Sequence, residues 1–146
     1  MPKSNAVILP ANVRPSSYKL ILEPDLSAFT FRGEETVEIE ILEPTTTIVL
    51  NCADIAVQTC KLTPANGSSL APIKTRLDEA AETATFEFKT ELPVGPAKLE
   101  IEFSGELNDK LRGFYRSKYT DQSGEEAYLA TTQFEATDAR RAFPCW

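Results

Sequence analysis

Apolar and polar residues alternate along most of this chain with a period of two, which is the pattern of a half-buried β-strand. Val37, Ile39 and Ile41, for example, are separated by glutamates. Similar runs, bounded by proline, glycine, asparagine or serine, predict strands over residues 18–23, 37–42, 45–50, 55–62, 84–89 and 98–103. Because one face of such a strand meets a core and the other meets water, the pattern is typical of antiparallel sheets.

Prolines and turn residues leave little room for helices. The chain contains 10 prolines, and turn signals recur at 24–25, 32–33, 43–44, 66–67, 94–96 and 123–124. Leu77–Ala81 is the one helix-tolerant stretch before the last part of the chain. A single helical turn is expected over Thr137–Ala142, with Thr137 or Asp138 near its start and Phe143-Pro144 at its end. We therefore expect an all-β fold, built as an antiparallel sandwich or curved sheet.

The composition is that of an ordinary globular protein. Of the 146 residues, 42% are hydrophobic and 25% are charged, which suits the core of one domain or of part of one. The formal net charge of −7 argues against nucleic acid or an anionic membrane surface as a partner. The apolar run Val7–Leu9 is too short for a secretory signal, and no segment reaches the length of a membrane span. We expect a soluble, cytoplasmic protein with a flexible leader over residues 1–8.

One missing residue type limits the possible chemistry. The chain has no histidine, which excludes a Ser-His-Asp triad, a Cys-His pair and a histidine-ligated zinc site built from these residues alone. The cysteines Cys52, Cys60 and Cys145 form no Cys-x-x-Cys motif and are expected to be reduced and largely buried. Any chemistry must use carboxylates or be completed by residues that this chain does not contain.

One local pattern could bind a cation. In a strand over Ala130–Glu135, Gln133 and Glu135 share one face while Phe134 anchors the other face in the core. The carboxylate and the amide oxygen could then accept hydrogen bonds from an ammonium group. The competing interpretation is an ordinary solvated strand face.

Other acids and aromatic residues carry weaker signals. The neighbouring acids Glu34-Glu35 and Glu125-Glu126 would face opposite ways on a strand, so they make poor acid–base pairs and are expected in solvated turns. Gly113–Tyr119 mixes aromatic and basic residues and is expected to be a packed strand, with an interaction strand as the alternative. Asn66–Ser68 fits a glycosylation acceptor but is expected to be a polar turn.

A longer motif resembles a known family. The segment Thr132–Trp146, with the sequence TQFEATDARRAFPCW, resembles a hallmark of the M1 family of zinc aminopeptidases. Gly105–Lys110, Gly113–Tyr119 and Val49–Asp54 are similar to segments of the same family, in particular of its cytosolic puromycin-sensitive branch. The resemblance covers essentially the whole chain.

The resemblance implies a fold and a role. Family members begin with a β-rich, saddle-like domain, so residues 1–146 would be such an N-terminal domain, incomplete at its C-terminal end. The next domain of the family carries a His-Glu-x-x-His zinc site and a Gly-x-Met-Glu-Asn motif, and neither motif occurs here. The resemblance thus implies no catalytic residue, no metal ligand and no cofactor in this chain, zinc in the parent enzyme, and no activity of the chain alone. The apolar ending Phe143–Trp146 is expected to be a cut within a structural element or a segment docked on its own core.

The resemblance also implies substrate-binding residues. The family's Thr-Gln-Phe-Glu segment maps onto Gln133, which would line the pocket for the first side chain of a peptide, and onto Glu135, which would bind its α-ammonium group. Asp138, Arg140 and Arg141 are expected to hold the following turn through arginine–carboxylate pairs, or to face the catalytic domain of the parent. The implied partners are the catalytic domain of the parent, peptide substrates and further copies of the chain, through uncovered apolar surface. The alternative is a stand-alone β-sandwich binding module with no enzymatic parent.

Overall fold

Residues 8–146 are described by a computed structural model, and most of them lie in β-strands. The strands are β1 (Val13–Asp25), β2 (Thr30–Ile41), β3 (Thr45–Asn51), β4 (Ile55–Pro64), β5 (Lys74–Asp78), β6 (Thr83–Leu92), β7 (Gly95–Glu106), β8 (Gly113–Thr120) and β9 (Glu126–Gln133). A 3₁₀ turn, Ala139–Arg141, follows the last strand. Within this part of the chain no helix has the length and hydrophobicity needed to cross a membrane. The expected all-β fold is confirmed, while the leader expected over residues 1–8 lies, except for Ile8, outside the described residues.

The strands form three antiparallel sheets. A four-stranded sheet has the order β1-β2-β7-β4, and a three-stranded sheet has the order β3-β6-β5. The strands β8 and β9 make a separate two-stranded hairpin. The two central strands of the larger sheet are β2, which pairs with β1 and β7, and β7, which pairs with β2 and β4.

The two larger sheets share one hydrophobic core. On β2, Val37, Ile39 and Ile41 are at most 3% exposed. Leu50 on β3 and Phe86 on β6 are fully buried in the same cluster. Because the cluster takes residues from both sheets, the sheets pack against each other with their apolar faces, as predicted for a sandwich.

Gly33 lies inside β2 and not in the turn expected at residues 32–33. It pairs with Phe103 on β7, and a side-chain carbon at residue 33 would overlap the ring of Phe103. The glycine therefore makes room for an aromatic ring on the sheet and does not mark a chain reversal. The turn expected from this glycine is wrong.

The helix-tolerant stretch Leu77–Ala81 forms no helix. Its first two residues end β5, which pairs with β6 along its whole length. Asp78 then accepts a hydrogen bond from the backbone N–H of Ala81 at 2.9 Å, which closes a turn. Strand pairing and this side-chain bond override the local helix preference.

The edge strand β1 is less buried than its alternation predicts. Within residues 8–146 it pairs with β2 alone, so its outer edge has no partner strand. Tyr18 and Leu20 stand directly opposite the buried Val37 and Glu35, yet they remain 37% and 36% exposed. The predicted apolar face of β1 is therefore present but only partly covered.

The last residues of the chain pack onto the sandwich. Cys145 exchanges two backbone hydrogen bonds with Asn51, at 2.7 and 2.9 Å, and Ala142 is fully buried. The N–H of Trp146 donates to the hydroxyl of Tyr18 at 3.0 Å. The ending Phe143–Trp146 therefore packs on the core, and the expected cut within a structural element stays a prediction. The short helical turn before it is confirmed as the 3₁₀ turn.

Candidate functional site

The two predicted substrate residues lie where β9 ends. Gln133 is the last residue of the strand and pairs with Gly113 on β8. Glu135 follows outside the ladder, and both side chains are exposed. An exposed amide and an exposed carboxylate at one end of a hairpin are available to donate to and accept from a polar, cationic ligand.

The side chain between them is not anchored as predicted. Phe134 is 46% exposed and packs edge-on against Phe143, with ring centroids 6.3 Å apart. The strand ends at Gln133, and the backbone N–H of Glu135 donates to the side chain of Asp138. The expected strand over Ala130–Glu135 is therefore too long, and the placement of Phe134 in the core is wrong.

A tight turn holds the backbone of Glu135 at both of its polar groups. The N–H of Glu135 donates to Oδ2 of Asp138 at 3.2 Å, and the carbonyl of Glu135 accepts from the N–H of Asp138 at 3.0 Å. Asp138 is only 8% exposed, and hydrogen bonds to a charged group are stronger where water is largely excluded. The position of the Glu135 backbone therefore depends on Asp138.

Arg141 ties this turn to two distant loops. Its Nη1 donates to Asp54 and its Nη2 donates to Glu82 at 2.8 Å, while its Nε lies 3.6 Å from Oδ1 of Asp138. The Arg141 side chain is 14% exposed, and Arg140 adds a contact to Glu82 at 3.5 Å. A guanidinium among three carboxylates, largely removed from water, is held in one orientation. The predicted role of the two arginines and Asp138 in holding the turn is confirmed.

The backbone around Arg141 adopts unusual conformations. Asp54 and Glu82 have left-handed backbone, with φ of 58° and 54°, which costs a non-glycine residue about 1–3 kcal/mol. Gly113 also has a positive φ, 74°, and a side-chain carbon there would stand 2.7 Å from Cβ of Arg141. The close approach of the Arg141 turn to β8 therefore requires glycine at residue 113.

One buried acid was not predicted from the sequence. Glu35, expected in a solvated turn, lies inside β2 and is 2% exposed. Within the described residues, neither of its buried carboxylate oxygens has a hydrogen-bond partner. Burial raises the pKa of Glu35 to about 8, because removal from water disfavours the charged form. The expected solvated turn is wrong here, and the carboxyl is mostly neutral at pH 7.

A tyrosine hydroxyl and three cysteine thiols lie near Glu35, and all four remain protonated at neutral pH. Burial raises the pKa of Tyr18, Cys52 and Cys60 to about 12, and the charge of Glu35 raises each further. The pKa of Cys145 is raised to about 11 for the same two reasons. All three thiols are free and at least partly buried, as predicted, and they are poor nucleophiles because the thiolate is the reactive form.

The burial of Glu35 could have been found from the sequence. Extending the alternation of Val37, Ile39 and Ile41 by one step towards the N-terminus places Glu35 on the core face of β2.

A cavity of about 1060 Å³ is lined by residues from all four strands of the larger sheet and from the two loops that contain Asp54 and Glu82. These two acids are the partners of Arg141 described above. Neither Gln133 nor Glu135 lines the cavity. The cavity and the predicted substrate residues are therefore separate features of the surface.

The described residues do not fit a zinc ion. Within residues 8–146, no group of three or more His, Cys, Asp or Glu side chains is arranged so that it could hold a metal ion. The sequence also lacks histidine, the usual nitrogen ligand of zinc. The zinc implied by the sequence resemblance therefore has no ligand set in this part of the chain.

Comparison with known proteins places these features in a family. The sequence profile of the Peptidase M1 N-terminal domain matches residues 14–146, nearly the whole chain. The chain belongs to the M1 peptidase family. The matched range includes the end of β9 and the turn that carry Gln133 and Glu135, and the resemblance expected from the sequence is confirmed.

Relatives of this M1 domain are aminopeptidases. Aminopeptidase 2 of Candida albicans is 46% identical over 145 residues, which cover 99% of this chain and 15% of the relative. Aminopeptidase M1-C of Oryza sativa subsp. japonica is 46% identical over 138 residues, covering 94% of this chain and 15% of the relative. The puromycin-sensitive aminopeptidase of Caenorhabditis elegans is 38% identical over 138 residues, which cover 94% of this chain and 15% of the relative. The chain thus spans about 15% of the length of these relatives.

Proposed function

We propose that this M1 domain is the non-catalytic N-terminal part of a zinc-dependent aminopeptidase and that it supplies Gln133 and Glu135 to the substrate pocket. The observation that supports this most is the setting of Glu135. Its side chain is exposed, its backbone is fixed by the buried Asp138, and the matching relatives are aminopeptidases. An exposed charge on a fixed backbone is suited to recognising a ligand.

The proposed roles follow from the chemistry of a peptide's first residue. A free α-amine has a pKa near 8, so it is largely a cation at neutral pH. The carboxylate of Glu135 would accept its hydrogen bonds and balance its charge. An internal peptide bond lacks this cation, so the interaction would select chain ends. The amide of Gln133, which can both donate and accept, would line the pocket for the first side chain.

The bond-breaking step is proposed to take place on residues outside this chain. The sequence has no histidine, and the described residues hold no metal-binding cluster, so the zinc ligands would come from the catalytic domain of the parent. That domain and the peptide substrates are the proposed partners, and the chain alone is proposed to be inactive. The cytoplasmic location and the lack of nucleic-acid and membrane partners stay predictions.

The test is a chimera in which this chain replaces the matching residues of Candida albicans Aminopeptidase 2. We expect the chimera to cleave aminoacyl-arylamides and the isolated chain, with zinc added, to leave them intact. Glu135→Gln should lower kcat/KM of the chimera by about 30-fold, since losing a hydrogen bond to a charged group costs about 2 kcal/mol. The control Glu126→Gln removes an exposed acid at the other end of β9 and should change kcat/KM by less than about twofold.

Two results would contradict the proposal. Turnover by the isolated chain would show that the domain is catalytic by itself. A loss in Glu135→Gln no larger than in Glu126→Gln would remove Glu135 from substrate binding.

A further inference from the structure

The 138–141 turn touches the backbone beside both proposed substrate residues. Asp138 bonds the N–H and the carbonyl of Glu135. Arg141 packs against Gly113, which is the residue paired with Gln133 across the hairpin. One short turn is therefore in contact with both elements that set where Gln133 and Glu135 stand.

The hairpin depends on attachments of this kind. β8 and β9 form a sheet of their own, and an isolated two-stranded hairpin is only marginally stable in water. Near its closed end the hairpin packs through Tyr128, whose ring lies 4.8 Å from that of Phe29. At the open end, which carries Gln133, the Arg141 turn packs against Gly113.

The turn is itself fixed to the sandwich by contacts that are remote in sequence. Arg141 bonds Asp54 and Glu82, which are 87 and 59 residues away along the chain. Asp54 lies directly before β4 and Glu82 lies directly before β6, so Arg141 links the turn to both larger sheets. Both acids adopt left-handed backbone to do so, and such strain is retained mainly where the geometry itself has a use.

We infer that Asp138 and Arg141 are positioning residues that hold Glu135, and the end of β9 at Gln133, in place for the α-ammonium group of a peptide. The inference rests on the proposed substrate role of Glu135. Neither residue touches substrate in this scheme. Asp138 acts through the backbone of Glu135, and Arg141 acts through Asp138 and Gly113.

The positioning can be measured directly in the 146-residue chain. Asp138→Ala removes the acceptor for the Glu135 N–H, whereas Asp138→Asn keeps a side-chain oxygen that can accept it. We expect Asp138→Ala to speed hydrogen exchange of the Glu135 amide by at least about tenfold, with the amides of β9 unchanged. Asp138→Asn should keep most of the protection. Unchanged exchange at Glu135 in Asp138→Ala would overturn the inference.

The consequence for substrate binding is tested by a double-mutant cycle in the Candida albicans chimera. Asp138→Ala should lower kcat/KM by about tenfold when Glu135 is present, because a small misplacement of a binding group is costly. In the Glu135→Gln background the same change should cost less than about twofold, since the group to be positioned is gone. Asp138→Asn should restore most of the loss.

The outcomes separate the inference from the proposed function. If Glu135→Gln has a large effect but Asp138→Ala costs the same factor in both backgrounds, Asp138 only stabilises the fold and the inference is wrong while the proposed function stands. If Glu135→Gln has no effect, both are wrong. Thermal unfolding of each variant shows whether it is folded. If Asp138→Ala does not fold, the double-mutant cycle is repeated with Arg141→Lys, which keeps the charge of arginine but loses its planar fork.

Discussion

Replacing the buried acid Glu35 with glutamine should stabilise the protein at neutral pH and change the way its stability depends on pH. The carboxyl is 2% exposed and, within the described residues, has no hydrogen-bond partner. Burial raises its pKa from 4.5 to about 8. The folded state therefore favours the protonated acid, and the unfolded state at pH 7 favours the carboxylate.

The magnitude follows from the shift. The pKa of Glu35 is higher in the folded state than in the unfolded state. The protonated carboxyl therefore contributes its full share to the stability of the fold below about pH 4.5, and this share is lost as the pH rises towards 8. At pH 7 the loss amounts to about 3 kcal/mol, at about 1.4 kcal/mol for each unit between the unfolded pKa and the working pH. Glutamine has the shape of the neutral acid and does not titrate, so it avoids this loss. The side-chain amide of glutamine has one more N–H donor than the neutral acid, and burying it without a partner lowers the stability of the fold by an amount that is independent of pH.

The assay is reversible urea unfolding of the wild type and Glu35→Gln at several pH values from 4.5 to 8. We expect the stability difference between them to move in favour of the variant by roughly 4 kcal/mol between pH 4.5 and pH 8. Glu34→Gln, an exposed neighbour on the same strand, is the matched control and should run parallel to the wild type. If the Glu35→Gln curve also runs parallel to the wild type, the carboxyl does not titrate as its burial requires.

Three other predictions follow from the packing. Gly33→Ala should destabilise the protein by about 1–3 kcal/mol, because the new methyl group would overlap the Phe103 ring; Gly67→Ala, which has only ordinary contacts, should be close to neutral in the same urea titration. The chain should self-associate at high concentration through the uncovered edge of β1, where Leu20 and Ile21 are 36% and 46% exposed; strictly monomeric light scattering would contradict this. The thiols should react with a disulfide reagent at neutral pH only as fast as the protein opens, so that mild urea accelerates labelling; fast labelling of the native state would show that they are accessible thiolates.

Much of the fold could be read from the alternation of residues, because a period of two reports directly on which side chains meet a core. Each predicted strand corresponds to one in the structure. The alternation could not show that Gly33 lies within β2, because the ring that needs the space belongs to Phe103, far away in sequence. It also could not predict β5, whose five residues are all exposed and therefore carry no burial pattern.

The candidate site was less predictable than the strands, because its long-range contacts leave no local sequence pattern. Local spacing predicted Gln133 and Glu135 on one face of a strand, but the strand ends at Gln133, so their arrangement as a pair stays a prediction. The role of the arginines in the next turn was expected together with the family resemblance. The partners of Arg141 were not predictable, since Asp54 and Glu82 are 87 and 59 residues away and approach it only in the folded chain. The exposed position of Phe134 was missed because Asp138, not β8, takes the hydrogen bond that a longer strand would need.

Recognition of the free α-ammonium group by Glu135 can be measured as a difference in ligand affinity. The measurement compares two competitive inhibitors of the chimera: the amino alcohol of the residue it cleaves fastest, and the same alcohol without the amine. We expect the amine to improve affinity by about 30-fold in the parent chimera and by no more than about twofold in Glu135→Gln, because the charged hydrogen bond is the difference between the two ligands. If the amine improves affinity equally in both proteins, Glu135 does not bind the α-ammonium group.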